Sequence, residues 1–309
     1  MYEAFYGLDE KPFSIPPDPS YLYLSDKHKK ALSRLQYSIM NRASFTVITG
    51  DIGSGKTTLI RELIHQFDQD VSVGLVSNVN FSSFEELLQW VLYAFELEYD
   101  SKDKVSLFET FTDFVIKNYS ESRNTVLIID EAQNLTVDTL EQLRMLSNIN
   151  VGQHQVLQLI LVGQPGLQEM LQRPELEQFA QRIEVEYYLQ PLDLEETRCY
   201  IEHRIRVAGG SNDLFTPETF SLIWQSTSGV PRLINVLCGM ALVYAFADFK
   251  DQVDVEVIKH VLEDKKNNFS PISEGRKISL VSSNGHDSES EVPDAGSLST
   301  IEKFFLHNK

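Results

Sequence analysis

Two hydrophobic patterns divide the chain near residue 190. Before it, short continuous apolar runs alternate with stretches that are apolar every third or fourth residue. The runs at 44–49, 71–77, 125–129, 156–162 and 183–189 carry strand signals, and the run at 125–129 is apolar or β-branched throughout. Runs of that kind read as strands covered on both faces, which calls for a parallel sheet. Helical spacing marks 58–64, 84–95, 105–119 and 138–147, with Leu140, Leu143 and Leu146 on one face, and shorter helices at 167–171 and 175–180. Strand and helix in alternation predict an α/β domain with a five-stranded parallel sheet. From Asp193 the strands stop. Helical patterns cover 193–208, 217–227, 231–248 and 254–265, with a Thr216-Pro217-Glu218 start and a Ser228-Gly229-Val230-Pro231 break. The expected organisation is an α/β domain over 1–190, a small all-helical domain over 191–267 and a disordered tail over 268–309.

The ends are compositionally distinct. Residues 1–25 are rich in aromatics and prolines, too apolar for a disordered arm and unsuited to helix or central strand. They read as an extended segment packed on the α/β core. Ser25 is placed to cap a helix over 26–40. The tail is Ser-, Glu-, Gly- and Asn-rich, with one apolar patch at Ile301-Glu302-Lys303-Phe304-Phe305-Leu306.

The candidate chemistry sits between the first strand and the helix after it. Gly50-Asp51-Ile52-Gly53-Ser54-Gly55-Lys56-Thr57 fits the phosphate-loop pattern G-x-x-x-x-G-K-[ST]. Strand, glycine loop and helix are what the chemistry needs. Glycines let backbone N–H groups turn inward onto a phosphate chain, and the helix N-terminus, opened by Lys56, Thr57 and Thr58, adds positive potential. Lys56 would reach the terminal phosphates of ATP, and the Thr57 hydroxyl would bind Mg²⁺. The strand at 125–129 ends in Asp130 and Glu131. Asp130 is placed to hold the Mg²⁺ shell and Glu131 to polarise a water. Gln164, at the end of the fourth strand, lies where open α/β sheets put ligand-contacting groups. The segment 1–25 either lines the adenine pocket or covers surface.

Charge and cysteine content narrow the setting. The net charge of −18 opposes nonspecific nucleic-acid binding. No apolar run approaches the roughly 20 residues that span a bilayer, and the start lacks the basic and apolar regions of an export signal. A cytoplasmic location is expected. Cys199 and Cys238 show no metal or redox spacing and read as buried thiols.

Phosphate loop, Val126-Leu127-Ile128-Ile129-Asp130-Glu131, Gly163-Gln164-Pro165 and Ser228-Gly229-Val230-Pro231-Arg232 in a helical lid together resemble an AAA+ ATPase. Phe5-Tyr6-Gly7-Leu8, Lys11-Pro12-Phe13, Pro17-Asp18-Pro19 and Leu143-Arg144-Met145-Leu146-Ser147-Asn148 resemble the ExeA/GspA type found in secretion pathways. Met1-Tyr2-Glu3-Ala4-Phe5-Tyr6-Gly7-Leu8 and Phe45-Thr46-Val47-Ile48-Thr49-Gly50 resemble the version associated with exosortase and exopolysaccharide clusters. The resemblance covers residues 1 to about 265. It implies ATP hydrolysis in a homo-oligomer with shared sites. Arg182 matches the arginine finger, with Arg173 as a second candidate. Arg232 matches the lid sensor, and Asn78 would restrain Glu131. Two departures are visible. Gln164 stands where many AAA+ proteins have Asn, and the membrane helix and periplasmic part of secretion-type members are not expected here. The implied role is a cytoplasmic ATPase, peripheral at the inner membrane through a partner, that drives a membrane-associated secretion, exosortase or exopolysaccharide assembly. The alternatives are a nucleic-acid-handling ATPase of transposition or replication initiation, and a nucleotide-dependent scaffold that hydrolyses little. The charge opposes the first, and the Asp130-Glu131 pair argues against the second.

Overall fold

Five strands form one parallel sheet in the computed structural model: β1 (Phe45–Gly50), β2 (Val71–Val76), β3 (Asn124–Ile129), β4 (Leu157–Gly163) and β5 (Ile183–Leu189), in the order β2-β3-β4-β1-β5. The structure describes residues 1–268 apart from 17, 68–69, 78–80, 82, 101–102 and 153. The tail and its apolar patch lie outside the described residues.

Every residue of β1 and β4 is buried, so both faces of the sheet must be covered. The alternation of side chains along each strand supplies two apolar layers. Val126 and Ile128 of β3 pack with Ile160 and Val162 of β4. The same cluster takes in Leu35 from α1 (Asp26–Met40) and Leu59 and Leu63 from α2 (Lys56–His65). Leu127 and Ile129 turn the other way and join α3 (Phe84–Ala94), α4 (Lys104–Ser120) and α5 (Val137–Leu146) through Leu87, Leu88, Phe111 and Leu140. α6 (Pro165–Leu171) and α7 (Glu177–Ala180) close that layer with Leu167 and Phe179. A two-residue hairpin, Asn150–Val151 against His154–Gln155, precedes β4. Strands that short carry no readable alternation, which is why the pattern of the chain does not announce them.

Four further helices follow: α8 (Leu194–Val207), α9 (Pro217–Thr227), α10 (Pro231–Ala247) and α11 (Val255–Asn268). Asp193 and Glu196 form a capping box that starts α8, a device that contributes on the order of 1 kcal/mol. Ile201, Ile205, Ile223, Ile234, Leu242 and Ile258 make a core of their own.

The N-terminal segment departs from expectation. Tyr2, Leu8, Phe13 and Tyr21 are buried in this helical core, not in the layers that flank the sheet. Both faces of the sheet already have their helices, whereas the small helical layer still has apolar surface to cover. Phe13 meets Phe215 edge-on at 5.9 Å. Arg204 of α8 is buried over the Tyr21 ring at 4.5 Å and donates from Nη2 to the Ser14 carbonyl at 3.2 Å and from Nε to the Pro12 carbonyl. Cys238 is buried in the same core, as expected, but Cys199 is only half-buried.

Gly229 ties the α9–α10 turn to the start of the helical part at one tight point. Its φ is +71°, and a Cβ there would lie 1.8 Å from the Leu192 carbonyl oxygen. Its own carbonyl accepts from the Leu192 N–H at 2.9 Å. Gly229→Ala is therefore expected to cost about 3 kcal/mol or more, because backbone must move to admit the methyl. The midpoint of urea unfolding measures it.

Candidate active site

Parallel strands bring their C-terminal ends to one edge of the sheet, and three of those ends carry the chemistry. β1 runs into the phosphate loop, β3 into Asp130 and Glu131, and β4 into Gln164. The pairing of Thr49 with Gly163, and of Ile129 with Leu161, sets these ends side by side.

The loop is shaped by close approach. Gly53 and Gly55 hold φ of +81° and +98°. A Cβ at Gly53 would come 2.6 Å from the Arg232 Cβ, and one at Gly55 would come 2.8 Å from His28 Nε2. Lys56 is buried and folds back over the loop, donating to the Gly50 carbonyl at 2.8 Å and the Asp51 carbonyl at 2.9 Å. Burial lowers its pKa, and the carboxylates of Glu131, Asp130 and Asp51 act against that shift. Ser54 Oγ is buried without a hydrogen-bond partner.

The carboxylates are joined to the loop. Thr57 Oγ1 donates to Asp130 Oδ2 at 2.8 Å. Asp130 is buried, and its Oδ1 accepts the Glu131 N–H at 2.9 Å. Glu131 stands in the left-handed region, φ 56° and ψ 34°, an uncommon conformation for a residue with a Cβ. Its Oε2 accepts from Gln133 Nε2 at 2.5 Å and from Gln164 Nε2 at 3.1 Å. Gln133 Oε1 in turn accepts the Gln164 backbone N–H at 2.9 Å. Two glutamines thus hold the carboxylate between β3 and β4. Asn78, expected as its restraint, lies outside the described residues.

A cavity of about 680 Å³ opens beside this constellation. Ile52, Gly53, Gly55, Lys56, Thr57 and Thr58 line it from the loop and α2, and Glu131 and Gln164 from the strand ends. Arg232, at the start of α10, lines it from the helical side, and its backbone N–H donates to the Gly53 carbonyl at 3.3 Å. Ile15, Pro16, Tyr21, Leu22 and Tyr23 of the N-terminal segment form another wall. Arg182 and Arg173 do not line the cavity. Arg182 Nη1 donates to Asn148 Oδ1 at 2.7 Å and Ser147 Oγ at 3.0 Å. Arg173 is exposed at the start of a short turn. Gln133 and His28 were not singled out by the sequence. Gln133 follows two residues after Glu131 in an otherwise unremarkable turn, and His28 follows Ser25 at capping spacing, the one local hint it offers.

Fold and site together define a phosphate-loop protein of the AAA+ class. Residues 39–171 match the family model of an AAA domain. The Aeropyrum pernix ORC2 protein, solved as ADPNP-ADP complexes, superposes with a TM-score of 0.62 at 18% identity, over 83% of this chain and 72% of that one. The Walker-type ATPase paby2304 of Pyrococcus abyssi gives a TM-score of 0.57 at 16% identity, over 83% and 77%. These likenesses speak for the fold. The sequence narrows it further: over 248 residues, 80% of this chain, it is 39% identical to General secretion pathway protein A of Aeromonas hydrophila, of whose length it spans 45%. The chain belongs to the AAA+ ATPases, among those of the ExeA/GspA type. Among the described residues, no helix is long and apolar enough to cross a membrane.

Proposed function

We propose that this chain binds ATP in the cavity beside the phosphate loop and hydrolyses it, as one subunit of an oligomer that acts on a membrane-associated secretion assembly. The observation that carries the reading is the unbroken hydrogen-bonded path from Thr57 through Asp130 and Glu131 to Gln164 at the mouth of the loop. On this reading a terminal phosphate held by Lys56 would meet a hydroxyl, two carboxylates and an amide.

Thr57 and Asp130 present hard oxygen donors of the kind Mg²⁺ prefers, and the unpartnered Ser54 hydroxyl leaves the loop a donor to spend on an anion. When bound, Mg²⁺ would neutralise charge on the phosphates. Glu131 takes the role of polarising the attacking water. Gln164, tied to that carboxylate, senses whether it is engaged. Arg232 approaches from the helical side of the same chain, while Arg182, which does not line its own cavity, is assigned to the site of a neighbouring subunit. The wall of Ile15, Pro16, Tyr21 and Leu22 is assigned to the adenine base. Identity to General secretion pathway protein A supports a secretion setting, with an exosortase or exopolysaccharide machine as the finer expectation. A cytoplasmic position, at the inner membrane through a partner, follows from that reading. The net charge of −18 supports a protein rather than a nucleic acid as that partner.

Lys56→Ala tests the reading directly. A charge-assisted hydrogen bond contributes about 1.5–3 kcal/mol, so ATP affinity should fall roughly tenfold to a hundredfold in equilibrium titration. Undiminished affinity would remove the phosphate loop from nucleotide binding.

A further inference from the structure

Lys56 holds its loop from inside, through the Gly50 and Asp51 carbonyls. A second side chain, on α1 at the wall of the same cavity, holds it as well. His28, buried in the first turn of α1, places Nε2 3.1 Å from the Ser54 carbonyl oxygen. Its Nδ1 lies 2.8 Å from Ser25 Oγ.

The partners assign the tautomer. A carbonyl oxygen only accepts, so Nε2 carries the hydrogen and donates it. Nδ1 then accepts from the Ser25 hydroxyl, whose oxygen meanwhile accepts the His28 backbone N–H at 3.3 Å. The ring is neutral in this arrangement, and burial favours that form by lowering its pKa. All three polar groups of the pair are satisfied at once, and the ring cannot turn without losing a bond.

The consequence lies across the peptide plane. In a trans peptide the carbonyl and the following N–H point in opposite directions. A Ser54 carbonyl fixed toward His28 therefore turns the Gly55 N–H to the other side of the loop. Among the described residues no backbone carbonyl accepts that N–H. Gly55, at φ +98°, passes so close to the imidazole that no side chain fits between them. A glycine in this region has easy access to other backbone conformations, and the loop needs something to select one.

We infer that His28 is a positioning residue that sets the Ser54–Gly55 peptide in its anion-binding orientation, so that the Gly55 N–H is preorganised for a phosphate oxygen. This rests on the nucleotide reading above and adds a residue that the phosphate-loop pattern does not contain. The role is ground-state binding, not chemistry: His28 meets neither Glu131 nor Asp130 in any hydrogen bond of the site.

The test compares side chains that differ in one donor. His28→Gln keeps an N–H at the reach of Nε2. His28→Met has similar length and no donor. His28→Asn retains a polar group that meets Ser25 but falls short of Ser54, so it carries the comparison if the Met variant is poorly folded. In the full-length chain, His28→Met and His28→Asn should raise the dissociation constant for ADP about tenfold, the loss of one well-placed donor, with kcat at saturating ATP within about twofold of wild type. His28→Gln should stay within about threefold of wild type in both. Thermal melting without nucleotide shows that each variant is folded. Equal affinity in all three variants and wild type would overturn the role of His28 alone. So would a fall in kcat at unchanged affinity, or failure of Gln to outperform Met and Asn. Wild-type protein that binds no ADP would instead overturn the nucleotide reading, and this inference with it.

Discussion

Glu131→Gln should bind ATP as tightly as wild type and hydrolyse it about 10²–10⁴-fold more slowly, the usual contribution of a positioned general base. The expectation comes from what surrounds the carboxylate. The binding side of the site, Lys56 on the loop carbonyls and Thr57 on Asp130, meets Glu131 only at its backbone N–H, which Asp130 Oδ1 accepts, and not at its carboxylate. The substituted amide can turn its oxygen to Gln133 Nε2 and Gln164 Nε2, the two donors that hold Oε2 now. The left-handed backbone at this position is also unchanged. Geometry is thus retained while the basic oxygen is lost. Phosphate release at saturating ATP, paired with an equilibrium titration, separates the two effects. Turnover near that of wild type would mean that another group positions the water. Loss of binding would mean that the carboxylate holds the ground state as well.

The centre of the sheet was legible because its strands are apolar almost throughout and buried. A run such as Val126-Leu127-Ile128-Ile129 has few alternatives to a strand buried on both faces. The phosphate loop was legible for a related reason: each fixed position in it answers a steric or charge demand that few other residues meet. Gly53 and Gly55 illustrate this, since a Cβ at either would strike Arg232 or His28. That those two residues are the obstacles was not legible. Both contacts join segments far apart in the chain, and no local pattern encodes which side chain will arrive. The glutamine pair around Glu131 is of the same kind. Gln133 acts only because α6 and β4 carry Gln164 to it, and a lone Gln in a turn has no distinctive spacing.

The N-terminal segment shows the opposite limit. Its aromatics and prolines announced burial without naming the surface. Apolar area is nondirectional, so Phe13 or Tyr21 could satisfy it against any uncovered core. What selected the helical side is a polar requirement. Arg204 is buried on α8 with two backbone carbonyls, Pro12 and Ser14, as acceptors and the rings of Tyr21 and Tyr200 above and beside it. A buried guanidinium without such partners is costly, so the segment and α8 fix each other. The result is a cavity with one wall from the phosphate loop and another from the segment that packs on the helices.

Arg182→Ala should bind ATP normally and lose most turnover, on the order of 10³-fold, the lower range for an arginine supplied to a phosphoryl-transfer site. The argument is positional. Arg182 precedes β5 and is absent from the walls of its own cavity, where Arg232 is present. One of its nitrogens is spent on Asn148 and Ser147, which aims the guanidinium without burying it. On the reading proposed above, an arginine outside its own cavity is free to serve a site on another copy of the chain. Hydrolysis per subunit should then rise with protein concentration, because a lone subunit lacks the charge that stabilises the transition state. Mixing supplies the sharper test. Lys56→Ala is defective in ATP binding yet keeps Arg182, and Arg182→Ala keeps the loop yet lacks the arginine. Assembled together, the Lys56 variant can lend its guanidinium to a neighbour whose loop is intact, so the mixture should release phosphate faster than the sum of its parts. A site completed within one chain gives no rescue and a specific activity that is flat with concentration. That outcome would return Arg182 to the surface and make each subunit self-sufficient.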